Sequence, residues 1–563
     1  MGTSGNRVGF KVFSINTTVR NPQRNLEFLE HFQKFNGLVF DSKVKMLYLI
    51  ELVKNGVYKF SNISSTIKEK LDNDIALNEA EIKEAFENNP QATGFSGRVM
   101  TQLRALKDQG FLIFSNDKNP TITMTNLAFE LVGRKTIITD IYAKIMIGLH
   151  SNNPARTSLL NKSRVFLNTI FVIDLLKNEW GKLGKEAKGI LRHEFKSFVL
   201  GMKDCDYKRC VSEILSYRKI YGLEENKDYI EDYLFNNQGL ERVTYNTLND
   251  YADEVFRKFE MTGLLVARGV AKYTYYDFSS FESKKIESLL AEYKGYSCKE
   301  FDSAGEYVAF LDSIKLPWIE SQAVRKAVIK QKAKNLNVAI KDDEFGNLNS
   351  LENKLNQTFY QQALKSKIEV SQIDSLLKEL RILASATEEK SSLDNIPEPL
   401  RLEYLLALIL GKKYGSKNLE SNLIYNENGE PLSYAPAGKA DLLYENFSFE
   451  ATMIKNRNQQ LNSETTSVAR HFYEAKKQNA LEQRAMLIAP YIHWDVALFF
   501  KFCAKEFDSK LAPISISSFI ELVEKSATFS EFSANFDRLF VDKLLSDKTD
   551  EYVDSVNFVR NLI

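Results

Sequence analysis

Cysteine is scarce in this chain, with four among 563 residues. Cys205 and Cys210 have the wrong spacing for a zinc knuckle, and no second Cys or His pair follows, so the common structural zinc sites are excluded. With Cys298 and Cys503, they read as inert thiols of a reducing, cytoplasmic protein rather than a disulfide framework. No stretch approaches the ~18 uncharged apolar residues of a membrane span. The opening residues, MGTSGNRVGFKVF, lack the apolar run of a secretory signal. Net charge is almost absent, with 75 Lys and Arg against 74 Asp and Glu. That excludes a uniformly basic surface but permits a basic face balanced by acids elsewhere. Histidine is rare too, and His31, His150, His193 and His493 read as structural or surface residues.

What is present is enough apolar and aromatic side chain for several cores, and the length predicts roughly three or four domains. KVKMLYLIELVKNG (43–56), NEAEIKEAFEN (78–88) and FSGRVMTQLRALKDQG (95–110) have helical apolar spacing. FLIFS, NDKNP and TITMT then read as strand, turn and strand. Three helices and a two-stranded wing predict a winged helix over 1–150, whose third helix enters a DNA major groove. Val99, Leu103 and Leu106 are expected to face inward, with Arg98, Thr101, Gln102 and Lys107 on the exposed side. Arg and Gln suit bidentate contacts to guanine and adenine edges. A similar unit is expected over 151–285. There TLNDYADEVFRKFEMTGLLVARG (247–269) reads as helix then strand, and KYTYYDF (272–278) as its partner. Arg257, Lys258, Arg268 and Lys272 would make that end basic, with Arg257 and Arg268 as DNA contacts. EAKGILRHEFKSFVLG (186–201) reads as an amphipathic helix. A charged helical linker over 286–393 follows, and the polar, proline-bearing EEKSSLDNIPEP (388–399) is expected to bound the last domain.

Residues 394–563 alternate helix and strand. LRLEYLLALILGKKYG (400–415) is an apolar helix carrying Glu403. DLLYE and FSFEATM form two strands with a tight break at Asn446, the first opening with Asp441 and the second containing Glu450. A buried carboxylate is costly unless paired, protonated or bound to a cation. Glu464 and His471, seven residues apart on the next helix, share one face about two turns apart. Oxygen donors gathered at a sheet edge suit Mg²⁺. The order Asp, short gap, Glu-x-polar is the pattern of the PD-(D/E)-x-K nuclease superfamily. It is loose here: Ala440 precedes Asp441, and Thr452 stands where a lysine is usual. Thr452 shares the face of Glu450 by strand alternation while Lys455 does not.

APAGKADLLYENFSFEAT, SETTSVARHFYEAKK and LIAP resemble the cleavage domain of AlwI-type Type IIS restriction endonucleases, a group that includes site-specific nicking enzymes. The resemblance extends to YADEVFRKFEMTGLLVARG and to LPW at 316–318. It implies an α+β multidomain chain with helical, winged-helix DNA-recognition domains, a helical linker and a C-terminal α/β nuclease domain. It also implies a short asymmetric site such as GAGTC or GGATC, Mg²⁺ as cofactor, and Asp441, Glu450, Glu464, His471 and Glu403 as the acidic site. Asp441 and Glu450 would hold the metal. A second nuclease domain, from transient homodimerisation or a small partner subunit, is implied for cutting both strands. A strand-specific nicking enzyme, a structure-selective repair nuclease and a non-catalytic winged-helix regulator are the alternatives.

Overall fold

The computed structural model describes residues 12–557 apart from 16–18, 55–56, 58–63, 73–76, 79, 82–83, 86–94, 134–135, 156–160, 185–187, 239–244, 270–272, 385–388, 435–438, 479–482, 507–508 and 547. The expected helix at 78–88 lies largely outside the described residues, as do Lys272 and the side chain of Arg98. The chain is mixed α+β and mostly helical, with small sheets. Among the described residues no helix is long and apolar enough to cross a membrane. Two compact units form, residues 1–45 with 96–356, and residues 46–95 with 357–563.

In the first unit the helix Phe95–Asp108 buries Val99, Leu103 and Leu106. It stops because Gly110 takes φ +80, a conformation open to glycine. The amide of Gly110 then reaches the carbonyl of Lys107 and that of Phe111 the carbonyl of Leu106. That double closure satisfies the last helical carbonyls and buries Phe111 against the helix end. Leu112–Phe114 and Ile122–Met124 follow as an antiparallel pair.

The helix Tyr245–Glu260 leads, through Gly263 at φ +70, to Leu265–Arg268, which pairs with Tyr275–Phe278. A third strand, Ile190–Leu191, pairs with the far side of Tyr275 and Tyr276. The expected helix over 186–201 is therefore corrected: a strand comes first, and helix begins only at Arg192. Gly189 explains the start, since a Cβ there would sit 2.0 Å from the carbonyl oxygen of Tyr276.

Among the described residues, two ion pairs of this unit have no exposure on either side. Lys258 Nζ lies 2.8 Å from Glu254 Oε1 with both side chains fully buried. Lys258 is thus part of the core, not of a basic surface. Arg218 bonds both oxygens of Glu194 at 2.7 and 2.8 Å, again with no exposure.

The second unit is built on a five-stranded mixed sheet. Its spatial order is Lys510–Ser515, Arg484–Ala489, Phe447–Ala451, Leu442–Tyr444, Leu419–Ser421. The first three strands run parallel and the last two pair antiparallel. The helix Glu398–Tyr414 is buried along nearly its whole length. Leu376, Leu377, Leu380 and Leu383 of the preceding helix Ile373–Ala384 join the same core. This moves the expected boundary: the polar loop near 388–399 lies inside the unit, and the segment 286–393 is divided at 356/357.

Removing one partner of a sealed ion pair strands the other charge. Arg218→Met is expected to destabilise the first unit by about 3–5 kcal/mol in urea unfolding. Glu194→Leu added to it should recover a large part of that loss.

Candidate active site

The hairpin of Leu442–Tyr444 and Phe447–Ala451 turns on two residues, Glu445 and Asn446, with Glu445 at φ +51. Pairing runs Phe447 with Tyr444, Ser448 with Leu443 and Phe449 with Leu442. One further step places Asp441 opposite Glu450. Two interlocking bonds fix the acids. The amide of Ala451 donates to Asp441 Oδ2 at 2.8 Å, and the amide of Asp441 donates to the carboxylate of Glu450. Phe449, between them in sequence, points the opposite way into the core and is fully buried.

Glu450 is 8% exposed. Burial pushes its pKa up, opposed by the hydrogen bond and charge of His471 and by the Asp441 amide. His471 Nδ1 lies 2.7 Å from Glu450 Oε1, so the ring orients the carboxylate. Glu464 is pushed up to about 7, first by burial and then by the charge of Glu450. Its Oε1 accepts a long bond, 3.5 Å, from the Thr452 hydroxyl. Thr452 is itself buried, and its amide donates to the carbonyl of Ile488 on the neighbouring strand. The structure thus brings Asp441, Glu450, Thr452, Glu464 and His471 together. Glu403 is buried in its helix, and its charge is felt by the Tyr425 phenol.

Glu464 does not sit on a regular α-helix. Residues Gln460–Thr465 form a π-helical turn, and the α-helix proper is Thr466–Gln478. Gln460 pins that turn and was not singled out from the sequence. Its side-chain amide donates to the carbonyls of Ile454 and Tyr491 and its Oε1 accepts from the His493 amide. His493 Nε2 adds a 2.7 Å contact to the carbonyl of Lys455. Nothing in KNRNQQLNS marks Gln460 apart from its neighbours.

The donor set fits a hard divalent cation in its chemistry. Asp441, just before the strand Leu442–Tyr444, and Glu450, in the strand beside it, offer carboxylate oxygens. Among the described residues no three His, Cys, Asp or Glu side chains already surround a metal position. Mg²⁺ is commonly held by one or two carboxylates, with water and substrate phosphate completing the shell, so two suffice.

The expected DNA-reading residues fare unevenly. Gln102 is only 5% exposed, and its Oε1 has no hydrogen-bond partner among the described residues. It is not on the exposed side of its helix: it flanks the inward arc next to Leu106, and tertiary packing covers it. Thr101 and Lys107 are half-buried, with Lys107 Nζ 5.3 Å from the Phe114 ring centre. Arg257 is engaged by Asp253 at 2.9 Å, and Arg268 donates to the carbonyl of Phe278.

The model of the family described as AlwI restriction endonuclease matches residues 108–522. The chain belongs to that family. It is therefore a restriction endonuclease, a site-specific nuclease acting on DNA. No curated protein matches it. Among solved structures, the small subunit R.BspD6I2 of the heterodimeric restriction endonuclease R.BspD6I is 21% identical, covering 32% of this chain and 97% of its own, with a TM-score of 0.27. FokI is 11% identical, covering 93% and 99%, at a TM-score of 0.24. FokI bound to DNA gives 10%, 94%, 99% and 0.23. At those scores the likenesses carry no weight for the chemistry of this chain.

The raised pKa of Glu464 sets a pH dependence for the AlwI-family chain. The folded state holds a proton that the unfolded state has released between the ordinary carboxylate range and about 7. Stability from this group is thus full at acid pH and is lost as pH rises through about 7. In chelated, metal-free buffer the thermal midpoint of the second unit should fall across that window, and Glu464→Gln should flatten the fall.

Proposed function

We propose that the chain is a Type IIS restriction endonuclease. It binds a short asymmetric duplex site, a pentanucleotide of the GAGTC or GGATC kind, and hydrolyses a phosphodiester a few bases outside it with Mg²⁺. The observation that carries this reading is Asp441 locked beside the Glu450 strand by the Ala451 amide, with His471 and Glu464 next to Glu450. Asp441 and Glu450 would hold Mg²⁺. When bound, the ion supplies phosphoryl polarisation, a more acidic water and charge relief for the leaving alkoxide.

The remaining residues have separate tasks. His471 fixes the rotamer of Glu450 through Nδ1. Thr452, in the usual lysine position, brings no charge, so it cannot activate water as an ammonium would. Glu464 is the group here whose carboxyl titrates near neutrality, and it can take or return a proton. Gln460 keeps the turn bearing Glu464 in place.

One such cluster cuts one strand, so a double-strand break calls for a second nuclease domain, from another copy or a small partner subunit. Trp494, Leu498 and Phe502 support that requirement. They are exposed at 43%, 39% and 59% and recur every four residues along the helix Trp494–Glu506, forming an apolar stripe. Without a partner the chain would nick.

Plasmid digestion with Mg²⁺ and run-off sequencing of both strands tests the reading. The wild type should break DNA at a fixed offset from one short sequence. Asp441→Ala should abolish breaks while site binding persists, and His471→Ala should lower the rate by about 10–100-fold. A protein that binds DNA but shows no Mg²⁺-dependent break would be a regulator instead.

A further inference from the structure

The first unit contains a cleft of about 550 Å³ between the helix Phe95–Asp108 and the hairpin that follows it. Four cations line it: Lys45, Arg104, Lys107 and Lys118. Two carboxylates, Asp108 and Asp117, line it as well. Asp117 is turned to the Ser115 hydroxyl at 2.7 Å. Among the described residues none of the four cations has an ion-pair partner. That contrasts with Lys258 and Arg218, whose partners lie within 2.8 Å.

Lys45 is the informative one. It is 8% exposed, and an ammonium removed from water normally takes a carboxylate or hydrogen-bonding partner with it. It also lies in the first turn of the helix that opens at Ser42. There the helix dipole presents its positive end, capped by Asp41, which accepts from the Val44 amide at 2.9 Å and makes no ion pair with the Lys45 ammonium among the described residues. A surplus of positive charge in a concave site, with one member nearly buried and unpaired, is a site lacking its anion. Arg104 and Lys118 stand exposed at its rim, where two successive anions of a polyanion can be met.

We propose that this cleft grips the sugar-phosphate backbone of duplex DNA, with Lys45 holding one phosphate at depth and Arg104 and Lys118 meeting phosphates at the mouth. It rests on the reading of the chain as a DNA-cutting enzyme and adds residues that read no bases. Such contacts set the register of the protein on the duplex and leave base choice to groups elsewhere. They release counterions, so they show in the salt dependence of binding.

The test uses full-length protein and a short, fluorescently labelled duplex of mixed sequence. Binding is measured by anisotropy from ~50 to ~200 mM KCl. Arg104→Ala with Lys118→Ala, both exposed, should make the slope of log K against log salt shallower by about 2, at about 0.9 per phosphate contact. Adding Lys45→Met should remove about one more. Lys208→Ala, an exposed cation of the same unit outside the cleft, should leave the slope unchanged. An unchanged slope in Arg104→Ala with Lys118→Ala, or an equal change in Lys208→Ala, overturns the proposal. Plasmid cleavage by the wild type is scored separately. A chain that binds with this salt dependence but never cuts refutes the endonuclease reading and leaves the cleft assignment standing.

Discussion

Carboxylates crowded at one end of the central strand of a small sheet are the constraint around which the second unit is organised. A two-residue turn sets Asp441 opposite Glu450, and the fold then buries one of them beside Glu464. Desolvation pushes both glutamates towards the neutral form, and the charge of Glu450 adds to the push on Glu464. One histidine supplies a partial answer through a single 2.7 Å contact. Such a cluster costs stability in isolation, and proteins retain costs of that kind where chemistry needs them. The hydrophobic core behind the sheet offsets it: Phe447 packs among Phe449, Phe529, Phe532 and Phe536. At the other end of the strands, Arg484 and Lys510 share Asp537 and hold its carboxyl below the usual range.

The two units treat charge in opposite ways. In the first, Glu194 and Arg218 are sealed as a matched pair, as are Glu254 and Lys258. In the cleft beside the hairpin four cations have no ion-pair partner among the described residues. In the second, carboxylates crowd together at the site, with Glu464 beside Glu450. Surplus positive charge in one place and surplus negative charge in another is what a near-neutral chain handling phosphodiesters requires, because backbone phosphates must be held and a metal must be recruited.

The hairpin was legible because strand alternation and a short break fix which side chains share a face. The end of the helix at Gly110 was legible for a similar reason, since its closure is local. What escaped depended on distant partners. Gln102 reads as a groove contact when only its own helix is considered, and tertiary packing turns it inward. Lys258 looks like surface charge until Glu254, one turn before it, is seen to be buried with it. The strand Lys510–Ser515 carries Pro513, which argues against a strand interior when read from sequence. It lies at the edge of the sheet, where a missing amide is tolerated. The break near 388–399 reads as a boundary from composition, but leucines on its N-terminal side belong to the same core.

Thermal unfolding of the metal-free full-length protein, titrated with Mg²⁺, tests the central claim most directly. A cation that binds the folded site raises stability by an amount set by its concentration relative to its Kd, about 2.7 kcal/mol at one hundred times Kd. The wild type should gain stability with added Mg²⁺. Asp441→Asn with Glu450→Gln should start more stable without metal and gain nothing. Equal gains in both proteins, or a wild type indifferent to Mg²⁺, would contradict a site built to hold a divalent ion between those two strands.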